Sequence, residues 1–155
     1  MKINSDTKIC ISIAARPGDF GANFHNSAYK HLDLNWVYLP RKVVSATDLE
    51  KAISGVRGLN IKGCSVSMPH KQTVIKYMDD IDTSAAKIGA VNSIVQNEKG
   101  DLKGYNTDYY GAKKALERAK INGKEVLMIG AGGVAKAVGL AVIELGGILK
   151  KNIKS

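Results

Sequence analysis

The sequence predicts a mixed α/β protein. Short apolar runs with period-two alternation recur between stretches of helical periodicity, the pattern of strands interleaved with helices. One pair of such runs flanks the polar, glycine-containing segment 96–101, as in a β-hairpin. Near the C-terminal end, an apolar strand run leads directly into Gly130-x-Gly132-x-x-Ala135 and an apolar helix. That order of strand, glycine turn and helix is the setting a dinucleotide fingerprint requires.

Each element has its own local reason. Residues 8–15 alternate and form the first strand; Pro17, Gly18 and Gly21 make 16–23 a loop, and 24–32 is helical. A second strand, 36–39, stops at Pro40, which cannot donate to a ladder. Thr47 with Glu50 has capping-box spacing for a helix running to about residue 56. The third strand draws on Leu59, Ile61, Cys64 and Val66 and turns at Pro69, since proline pushes Met68 out of the helical region. Helices follow over 72–78 and from the cap Asp82 to 88, then the hairpin strands 91–95 and 102–105. Residues 108–120 place Ala112, Ala115, Leu116 and Ala119 on one helical face. Asn122-Gly123 ends that helix, 125–129 is a buried-strand run, and helix 134–145 ends at Gly146-Gly147. A last weak run contains Ile148, Leu149 and Ile153.

Composition narrows the function classes. At 155 residues, 45% hydrophobic and 24% charged, the chain can build a core and reads as soluble and cytoplasmic. No apolar run approaches the roughly 20 residues of a membrane span. The net charge of +9 comes from dispersed lysines and arginines without an aromatic platform. This favours an anionic small molecule over nucleic acid. Cys10 and Cys64 lie in strand patterns without metal-ligand spacing, so they read as reduced core residues, and no metal site is expected.

Two stretches carry chemistry. Lys71 follows the third strand at its carboxyl end, where open α/β sheets bind ligands. A lysine there can take and return a proton; the alternative is a surface lysine in an ordinary loop. In the second stretch, Gly130 allows the tight turn and Gly132 lets backbone approach a pyrophosphate. Ala135 permits close packing, and Ala131, Gly133 and Val134 complete the turn at the helix N-terminus. About 20 residues further on, where an acid would grip a ribose hydroxyl, stand Lys150, Lys151, Asn152 and Lys154. Basic residues there suit a 2′-phosphate and hence NADP, or form a solvated tail.

Four motifs occur in order: Ser65-Val66-Ser67-Met68-Pro69-His70-Lys71, Gly89-Ala90-Val91-Asn92, Gly104-Tyr105-Asn106-Thr107-Asp108 and Gly130-Ala131-Gly132-Gly133. In order and spacing the chain resembles the shikimate dehydrogenase family over nearly its whole length. The resemblance implies a mixed-sheet substrate-binding lobe, 1–106, followed by the opening βα unit of a Rossmann NADP-binding lobe, 107–155. It implies NADP-linked hydride transfer to or from a cyclic polyhydroxy carboxylate of shikimate or quinate type. Lys71 and Asp108 match the catalytic pair, Asn92 matches a residue holding substrate hydroxyls, and Ser67 stands at a substrate-binding threonine. Read singly, without the order of the motifs, Asp108 is a simple N-cap and Asn92 a turn residue.

The chain departs from the family pattern at several points. Asp19, Gly21 and Ala22 replace a Ser-x-Ser-Pro whose hydroxyls receive the substrate carboxylate, and Ser65 replaces an asparagine. The shikimate dehydrogenase-like subgroup fits this pattern better than the biosynthetic enzyme. Family members also continue well beyond residue 155, which suggests C-terminal truncation and a second lobe prone to self-association or homodimer formation. The second reading is therefore a non-catalytic remnant or ligand-binding module. A one-carbon folate dehydrogenase shares the lysine and the nucleotide turn but not Asn106-Thr107-Asp108.

Overall fold

The computed structural model describes residues 3–130 and 134–152, and it has two sheets. The larger has six strands in the order β2-β1-β3-β5-β6-β4. These are β1 (Lys8–Ala14), β2 (Trp36–Lys42), β3 (Gly63–Val66), β4 (Asp80–Ile81), β5 (Ser93–Gln96) and β6 (Leu102–Tyr105). β1 runs parallel to both β2 and β3, and the predicted hairpin β5–β6 joins β3 antiparallel. The smaller sheet pairs β7 (Glu125–Ile129) in parallel with β8 (Ile148–Asn152). The helices are α1 (Phe20–His31), α2 (Ala46–Gly58), α3 (Thr83–Ile88), α4 (Thr107–Arg118) and α5 (Ala135–Glu144). No helix among the described residues is long and apolar enough to cross a membrane.

Two cores match this division. Ile13, Leu49, Ile53, Val74, Val91, Ile94 and Leu102 are buried under α2 and the large sheet. A smaller cluster of Ile88, Ala90, Tyr109, Ala137 and Ala141 joins α3, α4 and α5. Small residues at 137 and 141 let α5 approach α4 closely, because burial here is decided by shape as much as by area.

Several predicted elements shift, each for a local reason. α1 begins at Phe20 rather than residue 24, although Asp19 at its N-cap makes no side-chain bond. β2 passes through Pro40 to Lys42 because it is an edge strand, where the missing N–H faces away from the sheet. The capping box of α2 belongs to Ser45 and Asp48, not to Thr47 and Glu50. Ser45 Oγ accepts from the Asp48 amide at 3.0 Å, and the Asp48 carboxylate accepts from the Ser45 amide. β3 starts only at Gly63, since Leu59 caps α2. The segment after Lys71 is a 3-10 turn, Thr73–Tyr77. The two-residue strand β4 carries no periodic signal and was not expected. β7 is not buried: its outward residues Leu127 and Ile129 are exposed.

Candidate functional site

Lys71 and Asp108, 37 positions apart in sequence, meet where the large sheet hands over to α4. The Lys71 ammonium donates to the Asp108 carboxylate at 2.7 Å, and the two side chains remain 18% and 26% exposed. The contact is thus both held and accessible. Asp108 lies in the first turn of α4, at the positive end of the helix dipole. The cap of that helix is Asn106, whose side-chain oxygen accepts from the Tyr109 amide while its side-chain NH₂ donates to the Ala90 carbonyl at 2.9 Å. Asp108 is therefore released from capping to face Lys71.

Backbone bonds fix the lysine. The Val91 amide donates to the Lys71 carbonyl at 2.7 Å. Upstream, buried His70 donates from Nε2 to the Val43 carbonyl at 2.8 Å; a carbonyl can only accept, so that nitrogen carries the proton. The His70 amide donates to the Ser67 carbonyl and the Ser67 amide to Ile13, closing the turn through Met68 and Pro69.

Asn92 completes the arrangement. Its side-chain oxygen accepts from the Thr107 amide at 2.8 Å, the Thr107 hydroxyl at 3.1 Å and the Ser93 hydroxyl at 3.0 Å. With the oxygen saturated, the orientation of the amide is set, and its NH₂ makes no hydrogen bond among the described residues. Thr107, one residue before Asp108, thereby ties Asn92 to the ion pair. The sequence reading gave Asn106, Thr107 and His70 no role. Their signal was present only as membership of the same short motifs.

The other predicted residues fall at several distances from this centre. Ser67 is exposed on the rim of a cleft of about 350 Å³ lined also by Ala14, Ala15, Arg16, Met68 and Pro69. A smaller recess of about 100 Å³ shares Met68 and Pro69 and reaches Lys71, Gln72 and Ala90. Asp19 and Gly21, at the start of α1, line neither. A Cβ at Gly21 would sit 3.5 Å from the Tyr38 hydroxyl, an ordinary contact, so nothing steric demands glycine there.

At the nucleotide turn, Gly130 has φ +101° directly after β7, a backbone that side chains disfavour. Val134 is the N-cap of α5 without a side-chain cap, and Ala135 is its first residue. Ala131, Gly132 and Gly133 lie outside the described residues. The cysteines take no part: burial pushes the Cys64 thiol up to about 12 and raises that of Cys10, so neither is a thiolate.

The shikimate dehydrogenase substrate binding domain matches residues 20–94. The chain is 47% identical over 137 residues to a shikimate dehydrogenase-like protein of Haemophilus influenzae, covering 88% of this chain and 49% of that protein. It is 44% identical over 142 residues to the shikimate dehydrogenase (NADP(+)) of Desulforamulus reducens, covering 88% and 48%. A solved shikimate 5-dehydrogenase-like protein superposes with a TM-score of 0.90 at 43% identity, over 97% of this chain and 55% of that one. The chain thus spans about half the length of the curated relatives it matches. Residues 20–94 thus match a shikimate dehydrogenase substrate binding domain, and in sequence and fold the chain is similar to about half of each of these shikimate dehydrogenase-like proteins.

Proposed function

We propose that the chain serves a shikimate dehydrogenase-like oxidoreductase, NADP-linked and acting on a cyclic polyhydroxy carboxylate. Residues 1–106 are assigned to substrate and 107–155 to the start of the nucleotide lobe. The observation that carries this reading is the Lys71–Asp108 pair at 2.7 Å with Asn92 locked beside it. The relatives quoted above carry enzyme names, which does not favour a non-catalytic remnant.

In this reading Lys71 Nζ exchanges the proton that a carbinol oxygen must lose on oxidation and regain on reduction. The Asp108 carboxylate holds Nζ in place and accepts from the same substrate hydroxyl. The Asn92 NH₂ donates to a neighbouring hydroxyl, and Ser67 adds a polar contact at the rim. Gly130, at φ +101° with no atom of the described residues within 4 Å of where a Cβ would stand, offers a place for a phosphate beside the N-terminus of α5. NADP, when bound, supplies the hydride acceptor or donor. The uncapped first turn of α5 would hold its pyrophosphate.

The direct test is NADP reduction by the chain with shikimate or quinate as the reductant. Turnover with either is the expected outcome. Absence of both turnover and binding for every cyclic hydroxy acid tried would reject the assignment.

A further inference from the structure

The serines that the family pattern would offer a carboxylate are replaced here by Asp19 and Gly21, and neither residue reaches the clefts beside Lys71. The larger cleft does contain a cation. Arg16, just beyond the end of β1, lines it together with Ser67 and the Met68-Pro69 turn. The same turn lines the recess that reaches Lys71, so the two spaces adjoin. Arg16 makes no ion pair or hydrogen bond through its side chain among the described residues, although Asp19 stands only three positions away.

We propose that Arg16 is the carboxylate anchor of this site and makes it selective for an anionic over an uncharged cyclic polyol. The inference rests on the functional reading above for the hydroxyl end of the ligand. At the other end, a guanidinium presents a planar fork that pairs both oxygens of a carboxylate, which a single serine hydroxyl cannot do. Ser67, on the same rim, can add a hydroxyl contact without competing for the charge. A ligand lying along the Met68-Pro69 turn would thus meet a positive charge at one end and the Lys71–Asp108–Asn92 group at the other. The locally unneutralised guanidinium explains how the cleft can take an acid despite Asp19 nearby.

Nuclear magnetic resonance titration of the isotope-labelled chain separates the possibilities. The probes are shikimate, its uncharged methyl ester and cyclohexanecarboxylate, an acid without hydroxyls. The wild type should bind shikimate more tightly than the ester, with shifts at Ala15, Ser67 and Asn92. Arg16→Gln, at an exposed loop position that should leave the fold intact, should weaken shikimate about 10- to 100-fold and leave the ester unchanged. Lys42→Gln, removing an exposed cation on β2 outside the cleft, should change neither by more than about twofold.

Equal binding of acid and ester by the wild type, or a preference for the acid that survives Arg16→Gln, would overturn the proposal. Shifts at Lys71 and Asn92 would then leave the hydroxyl end standing. Conversely, cyclohexanecarboxylate shifting Ser67 in an Arg16-dependent way, with no polyol moving Lys71 or Asn92, would support the anchor and refute the polyol reading. No binding by any probe would refute both.

Discussion

Glu144 shows how one side chain can tie the two parts of the chain together. At the end of α5, its carboxylate accepts from the Tyr109 hydroxyl, from Lys113 at 3.1 Å and from Lys87 at 3.4 Å. Tyr109 directly follows Asp108, so this cluster braces the helix that positions the ion pair. The Tyr109 bond first, and Lys113 after it, hold the Glu144 carboxyl down to about 2. A folded-state value below the unfolded one of about 4.3 means the stabilisation is present above that pH. It is lost as pH falls toward 2. Asp79, Asp80 and Asp82 are lowered too and act in the same direction, so the informative quantity is a difference between proteins. Glu144→Gln should unfold with a shallower pH dependence than wild type between about pH 4.5 and 2. Denaturant melts across that window check it, and parallel curves would refute the role given to Glu144. None of this was legible beforehand, because a contact between positions 109 and 144 leaves no periodic trace.

The same limit governs the elements. The hairpin and α3 were readable because Gly100 and Asp82 act on their immediate neighbours, whereas the cap of α4 is Asn106 and not Asp108. The capping box of α2 was displaced because residues 45–50 offer two overlapping spacings, and only the backbone decides between them. Pro40 misled for a different reason: its tolerance depends on β2 being an edge, which is a property of the sheet. Gly104 in β6 likewise has a purpose visible only in three dimensions. A Cβ there would lie 2.7 Å from Val91 Cγ2 and 3.2 Å from Met78, both against the core. Gly104→Ala should cost about 1–3 kcal/mol by overpacking. Because Val91 precedes Asn92 and bonds the Lys71 carbonyl, ligand affinity should fall with it. Chemical denaturation and calorimetry read the two effects, and an unchanged stability would contradict the packing argument.

At the scale of the whole molecule, the two sheets are unequal. The six-stranded sheet is covered by α2 and carries the main core, whereas β7–β8 presents Leu127 and Ile129 at 60% and 83% exposure. Parallel strands are ordinarily covered on both faces, and an open apolar edge favours association. Sedimentation over rising concentration should show self-association that Ile129→Lys suppresses; a monomer throughout would contradict this. The geometry of the proposed site, by contrast, depends on contacts between the large sheet and α4. It is readable in sequence as the order of Lys71, Asn92 and Asp108, although their meeting is a fact of the fold.

The central claim is that Lys71 and Asp108 act as one chemical unit on a substrate hydroxyl, and a double-mutant cycle in turnover tests it most directly. Lys71→Ala and Asp108→Asn should each lower kcat by about 10²-fold or more with shikimate or quinate and NADP. The double variant should be little worse than either alone, since groups acting as a unit are non-additive. Multiplicative losses, or a Lys71→Ala protein with wild-type turnover, would contradict the account.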